Sequence, residues 1–150
     1  MMDDLRSLYQ EVIIDHSRSP RNFGPLDAAN RSAEGVNPLC GDELTLNCYV
    51  DDADIIRDIR FIGRGCAISL ASASIMTEML KGMTKQEAES IFKQFHATVT
   101  GANAAPSADI GKLEVLSGVR EFPTRVKCAT LAWHTAIAAI NDDTKTVTTE

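Results

Sequence analysis

The fold is decided by residues 43–62, which read ELTLNCYVDDADIIRDIRFI. In residues 43–50, apolar side chains alternate with polar ones, and a period of two predicts a strand with one buried face. The acidic run at 51–54 predicts a turn. Residues 55–62 predict a second strand, with Ile59 and Phe61 on one face. Strands joined by such a short turn pair antiparallel, so the sequence predicts a hairpin.

Helical patterns surround this hairpin. Apolar spacing, capping residues and helix-ending glycines or prolines predict helices at residues 4–17, 67–80, 84–95, 109–117 and 129–140. The third of these helices begins with a Thr84-x-x-Glu87 capping box. The fourth is expected to be capped by Asp109 and to end at Gly118. Residues 100–108 are predicted as a loop, and a third strand is predicted around residues 30–36. The expected fold is therefore α+β, a small antiparallel sheet of about three strands covered on one face by helices.

The length and charge of the chain narrow its class. With 150 residues it is expected to form one domain, residues 1–150, with a polar, frayed tail from about residue 141. The 15 basic and 21 acidic residues give a net charge of −6, which argues against a nucleic-acid partner. No apolar run is long enough to span a membrane, and the acidic start lacks a signal peptide's pattern. We expect a cytoplasmic protein whose four cysteines are ligands or nucleophiles rather than disulfide partners.

The four cysteines fall into two groups. Cys48 is in phase with the apolar positions of its strand and is expected to lie in the core. Cys40 is on the loop before that strand, and Cys66 and Cys128 stand where helices are expected to begin, a position that stabilises a thiolate. These three sulfurs and Asp42 would complete a tetrahedral zinc site if they converged. From spacing alone, scattered free thiols are an equally good interpretation.

Other site classes fit the sequence poorly. Gly63-Arg64-Gly65 follows a predicted strand, but the third position of the dinucleotide fingerprint is Ile68 rather than glycine. A cysteine hydrolase needs a histidine base beside its nucleophile. The three histidines lie on predicted helices with no sign of pairing, at positions 16, 96 and 134. There is also no phosphate-binding P-loop.

Four motifs occur in a fixed order: DHSRSPRN at residues 15–22, NPLCGD at 37–42, GCAIS at 65–69 and FPTRVKCATLAWH at 122–134. Together they resemble the IscU-like family of iron–sulfur cluster assembly proteins over nearly the whole chain up to about residue 141. Three departures from its scaffold members resemble the SufU branch. Lys127 replaces the histidine before the last cysteine, the stretch between Cys66 and Cys128 is longer around residues 100–120, and a double-proline motif is reduced to FPTR at 122–125.

The resemblance implies a function and a set of ligands. Zinc would be held by Cys40, Asp42, Cys66 and Cys128. A SufS-like cysteine desulfurase would supply persulfide sulfur, and downstream cluster-assembly proteins would receive it. Cys40 is assigned as the sulfur acceptor, because Pro38 and Gly41 place it on a loop. The chain would then act as a sulfurtransferase-type carrier.

Two other functions stay open at this stage. The same ligands would hold a transient iron–sulfur cluster in a scaffold, or a structural zinc ion in a regulatory binding module. Arg125 is expected to dock the desulfurase or to compensate charge, whereas Arg64 and Lys127 fit either that role or solvated surface. His134 is interpreted as a packing or partner-contact residue, and His16 as a structural hydrogen-bonding residue.

Overall fold

The computed structural model describes residues 2–100, 111–142 and 146–148. Its strands form one mixed sheet in the order β3-β2-β1-β4. The strands are β1 (Arg31–Asn37), β2 (Asp42–Val50), β3 (Ile56–Arg64) and β4 (Val147–Thr148). β1 and β3 each pair antiparallel with β2, and β4 pairs parallel with β1. The α+β prediction is confirmed.

The predicted hairpin is β2 and β3, and its buried face follows the alternation of the sequence. The inward residues of β2 are all buried: Leu44, Leu46, Cys48 and Val50. In the register of the pair, Leu46 lies opposite Phe61 and Cys48 opposite Ile59, so both strands face the same core. The third strand, predicted around residues 30–36, is β1.

The fourth strand corrects the expected count of about three. The tail from residue 141 was expected to be frayed, but Val147 pairs with Gly35 and Thr148 with Val36. This short strand covers backbone groups of β1 that would otherwise lie at an open sheet edge. Two residues are too few for a period of two to be visible in the sequence.

The helices cover one face of the sheet. They are α1 (Met2–Arg18), α2 (Ala67–Leu80), α3 (Lys85–Thr100) and α4 (Pro123–Ile140), with a 3₁₀ helix at Gly111–Glu121. α4 packs against β1 and β2, and α2 packs between α1 and α4. The core includes Trp133, Phe95 and Phe61. Among the described residues, no helix is both long and apolar enough to cross a bilayer.

Three helix boundaries differ from the prediction. α3 continues to Thr100 rather than ending near residue 95. α4 begins at Pro123 rather than near residue 129, because proline fits the first turn, where its missing N–H has no helical partner. Cys128 therefore lies in the second turn of α4 and does not open it. The 3₁₀ helix continues through Gly118 instead of ending there. The predicted loop from residue 101 onwards and its Asp109 cap lie outside the described residues.

Candidate metal centre

The loop between β1 and β2 brings Cys40 and Asp42 to one end of the sheet. Asn37 and Asp42 are paired in the strand register, so residues 38–41 form the loop. The Asn37 carbonyl accepts hydrogen bonds from the backbone N–H groups of Cys40 (3.2 Å) and Gly41 (2.9 Å). Gly41 has a φ of 72°, which glycine adopts without strain. Cys40 is therefore exposed near the apex, while Asp42 is fully buried at the start of β2.

The start of α2 supplies Cys66. Its extended backbone and its position before Ala67 make it the N-cap, and its sulfur accepts a hydrogen bond from Ser69 N at 3.4 Å. The Cys66 backbone N–H donates to Asp42 Oδ1 at 2.9 Å. A β-carbon at Gly65 would lie 2.5 Å from that same oxygen, so only glycine allows this approach. The α2 start and the Asp42 carboxylate are thus locked together.

α4 supplies Cys128, which is 1% exposed. Its sulfur lies 3.2 Å from Cys40 Sγ and 3.5 Å from the Thr124 carbonyl oxygen. α4 approaches β1 closely, because a β-carbon at Gly35 would overlap the Thr135 hydroxyl. This close packing puts the second turn of α4 over the end of β1.

The three elements bring most of the predicted ligands together. One ligand atom each from Cys40, Asp42 and Cys128 lies within 4.8 Å of the others. Cys66 Sγ is outside this group of three, although its residue contacts Asp42 through the backbone. Among the described residues, the buried Asp42 Oδ2 has no hydrogen-bond partner. A buried carboxylate oxygen without a donor is costly, and a bound cation would satisfy it.

The electrostatic surroundings of Cys128 also favour a bound cation. Burial, the hydrogen bond with Cys40 and the proximity of Cys66 and Asp42 all raise the pKa of the Cys128 thiol. These neighbours therefore disfavour a negative charge on the Cys128 sulfur. A divalent cation among them would reverse that balance.

The donor set fits zinc. Thiolate sulfur and carboxylate oxygen both bind Zn²⁺, with bonds of about 2.0–2.3 Å, and structural zinc sites are four-coordinate. Cys40, Asp42 and Cys128 supply three donors, and Cys66 is the adjacent candidate for the fourth. All four cysteines are free of disulfides, so none of the sulfurs is blocked.

Basic and apolar residues flank the candidate ligands in the sequence. Arg64 is exposed and pairs with Glu43 at 3.3 Å, and Lys127 is half-buried beside Cys128. Arg125 and Phe122 line a groove of about 260 Å³ with apolar residues of α1, α2 and the 3₁₀ helix. Leu39, next to Cys40, is 66% exposed. The exposed thiol thus has an exposed apolar side chain next to it in sequence.

The remaining sequence candidates lie away from the cluster. Cys48 is 0% exposed, as predicted, and burial raises its pKa to about 11. His16 is buried and lies 2.7 Å from Ser74 Oγ, which confirms its structural hydrogen bond. His134 packs against Phe92, with ring centroids 5.0 Å apart, and burial followed by the charge of His96 lowers its pKa.

Two residues at the site were not assigned a role from the sequence. Gly65 makes room for Asp42, and the Asn37 side-chain amide lies 3.8 Å from Cys128 Sγ. Both belong to motifs quoted above, GCAIS and NPLCGD. Motif membership was the available signal, but only the three-dimensional packing shows what each side chain contacts.

Comparison with known proteins agrees with this geometry. The family model described as NifU-like N terminal domain matches residues 8–129. The zinc-dependent sulfurtransferase SufU of Bacillus subtilis is 44% identical over 87% of this chain and 87% of its own length. The iron–sulfur cluster assembly scaffold protein IscU of Streptococcus pyogenes is 40% identical, covering 93% of this chain and 86% of the relative.

A solved structure supports the same grouping. The crystal structure of a putative iron–sulfur cluster assembly scaffold protein for the SUF system, from Fervidobacterium islandicum, superimposes with a TM-score of 0.80. It is 37% identical and covers 87% of this chain and 94% of that one. The fold and the cysteine–aspartate cluster thus define a NifU-type N-terminal domain. This chain belongs to the IscU-like family of iron–sulfur cluster assembly proteins, in its SufU branch.

Proposed function

We propose that this protein is a zinc-dependent sulfur carrier, which takes persulfide sulfur from a cysteine desulfurase and passes it to downstream cluster-assembly proteins. One observation carries the proposal: an exposed thiol, a buried thiol and a buried carboxylate lie within 4.8 Å of one another. The names of the SufU and IscU relatives support the same pathway. A reducing cytoplasm suits the four free cysteines, and we treat residues 1–150 as one functional unit.

In this proposal Cys40, Asp42, Cys66 and Cys128 hold the zinc ion. Bound zinc keeps the coordinating thiols deprotonated. Asp42 contributes its unpartnered oxygen and is itself fixed by the Cys66 N–H. Cys128, buried on α4, and Cys66, capping α2, are the fixed members of the set.

Cys40 is the proposed acceptor because it is the exposed member and lies on a loop. Its thiolate attacks the outer sulfur of the desulfurase persulfide. A new S–S bond forms on Cys40, the S–S bond of the donor breaks, and the electron pair leaves with the donor cysteine as a thiolate. The step is an exchange between sulfurs, so no external oxidant or reductant is needed.

Arg125 is proposed to help dock the desulfurase. It is exposed on α4, three residues before Cys128, and lines the groove that α4 forms with α1, α2 and the 3₁₀ helix, where a cation would attract an acidic partner surface. An Arg125→Glu variant is expected to need more desulfurase for half-maximal transfer at unchanged zinc content. The control is Lys93→Glu, an equal reversal of charge at an exposed position of α3. Equal behaviour of the two variants would remove Arg125 from the proposal.

The second candidate function is a scaffold that assembles an iron–sulfur cluster on the same residues. Lys127 favours the carrier, because the residue before Cys128 ends in an ammonium, which has no lone pair for a metal. Metal analysis of freshly purified protein separates the two functions. We expect a colourless protein with one zinc, whereas a brown protein with iron and sulfide would favour the scaffold.

Mass spectrometry of cysteine adducts tests the carrier function directly. After incubation with a desulfurase and isotopically labelled cysteine, the Cys40 peptide is expected to gain one labelled sulfur atom. Cys40→Ala should abolish the adduct, and Cys48→Ala should retain it. Label on another cysteine would refute the role of Cys40. Stimulation of the desulfurase without any adduct would instead support a zinc-stabilised regulatory module.

A further inference from the structure

Asn37 is fully buried, and its side-chain amide contacts the sulfur of Cys128. It is the last residue of β1, and its Nδ2 lies 3.8 Å from Cys128 Sγ, a hydrogen-bond distance for the large sulfur atom. Its Oδ1 is buried and has no partner among the described residues. Within the described part of the chain, the Cys128 sulfur is thus the hydrogen-bond partner found for this amide.

Such an amide is costly for the fold. Leaving a buried acceptor unpaired costs about 1–3 kcal/mol, and an apolar side chain of the same shape would avoid that cost. The adjacent turn does not need the amide either, because the backbone carbonyl of Asn37 already accepts from Cys40 N and Gly41 N. The contact that the structure shows for this side chain is the one with the Cys128 sulfur.

The surroundings of Cys128 show what the amide supplies. Its sulfur also lies 3.2 Å from Cys40 Sγ and 3.5 Å from the Thr124 carbonyl oxygen, and neither of these contacts supplies an N–H donor. The Asn37 N–H is a neutral donor pointing at the same sulfur. A donor of this kind stabilises a thiolate and orients it, as outer-shell hydrogen bonds do for other metal ligands.

We propose that Asn37 is a positioning residue, whose side-chain N–H holds the Cys128 thiolate on the metal. The backbone carbonyl of Asn37 meanwhile anchors the loop that carries Cys40. The inference rests on the proposed function, since it requires a metal held by these sulfurs. Asn37 thus contacts the sulfur of the buried Cys128, but it contacts only the backbone N–H of the exposed Cys40. Cys40, not Cys128, is then the ligand free to leave.

The test uses Co²⁺ in place of zinc, because sulfur-to-cobalt charge-transfer bands report the electron density on the ligating sulfurs. An N–H donor withdraws density, so Asn37→Leu should move these bands to lower energy and weaken cobalt affinity about 10–100-fold. The matched control is Asn47→Leu, the same exchange on the outer face of β2, which should leave both unchanged. Asn37→Ser keeps a hydroxyl donor and should recover part of the band shift.

The outcomes separate this inference from the proposed function. Wild-type bands and affinity in Asn37→Leu would overturn the inference alone. So would weaker affinity with unmoved bands, because that result indicates a purely structural role. If the wild-type protein shows no sulfur-to-cobalt bands, the proposed function fails and the inference with it. Should Asn37→Leu not fold, Asn37→Asp has the same shape and, as a carboxylate, no donor, and it replaces the leucine variant.

Discussion

Cys48 and Cys128 are both buried cysteines, 0% and 1% exposed, in very different surroundings. Cys48 points from β2 into the apolar core, where burial raises its pKa to about 11 despite the opposing charge of Arg31. The pKa of Cys128 is raised by burial and also by neighbouring acidic groups. An isolated buried thiol is inert, whereas a buried thiol that lies beside other thiols and a buried carboxylate favours a bound cation. Neighbours, rather than burial, distinguish a core cysteine from a ligand.

The largest expected effect comes from removing each sulfur in turn. Cys128→Ala should weaken zinc affinity by at least about 100-fold, since even outer-shell changes cost about 10–100-fold. Cys48→Ala should bind zinc like the wild type. Chelator competition with metal analysis measures both, and circular dichroism checks that both variants fold. Equal loss of zinc in the two variants would break the comparison.

The next effect concerns Gly65, which tests the cluster without altering a ligand. In Gly65→Ala the new β-carbon would lie 2.5 Å from Asp42 Oδ1 and 3.1 Å from its Cγ, so the buried carboxylate must move. Zinc affinity should fall about 10–100-fold, as for other changes that misplace a ligand. The control is Gly118→Ala, whose β-carbon would meet nothing within 4 Å. Unchanged affinity in Gly65→Ala would mean that the position of Asp42 is unimportant.

A smaller effect tests the core side of the comparison. Cys48→Ser places a hydroxyl among apolar side chains, and burying it without a partner costs about 1–3 kcal/mol of unfolding free energy. Urea denaturation at fixed zinc concentration measures this cost. Zinc stoichiometry should not change. A loss of zinc with intact stability would show that Cys48 belongs to the site after all.

The smallest effect concerns His16, a buried titratable group away from both cysteines. Burial above all, and then the charges of Arg21 and Lys112, lower its pKa below the usual 6.5. The neutral ring accepts from Lys112 Nζ at 3.3 Å and donates to Ser74 Oγ. Its stabilisation should be complete above pH 6.5 and be lost as the pH falls through the lowered folded-state pKa.

The comparison of the wild type with His16→Gln isolates this contribution. The difference in unfolding free energy between them should shrink as the pH falls below 6.5, by at most about 1.4 kcal/mol per pH unit. Zinc release at low pH affects both proteins and cancels in the difference. Urea denaturation from pH 8 to pH 5.5 provides the measurement. A constant difference over that range would contradict a neutral buried His16.

Much of the fold could be predicted because periodicity is a local signal. The alternation of residues 43–50 gave the buried face of β2, and the Thr84–Glu87 capping box forms with both hydrogen bonds at 3.1 Å. The fourth strand could not be predicted, since it depends on a register between residues more than 100 positions apart. The predicted start of α4 near residue 129 was wrong, because a proline such as Pro123 also fits the first turn of a helix.

The site was predictable in its residues but not in its contacts. Turn chemistry placed Cys40, Cys66 and Cys128 near element ends, and that alone left convergence open. What brings them together is packing between distant segments: Gly65 against Asp42, and Gly35 against Thr135. No local pattern encodes such a fit, because the space for each contact is set by a helix and a strand far apart in sequence.

The shortness of the loop from residue 38 to 41 limits how sulfur can travel. A chain spans at most about 3.3–3.6 Å per residue, so a residue near the apex stays within about 7 Å of its anchors. Under the proposed function, such a short loop cannot carry sulfur between a donor and a recipient that are bound at the same time. Donor and recipient must visit the same face in turn, as in ping-pong kinetics. Excess donor protein would then compete with the recipient for this face. The rate of sulfur transfer to the recipient would therefore pass through a maximum as the donor concentration rises.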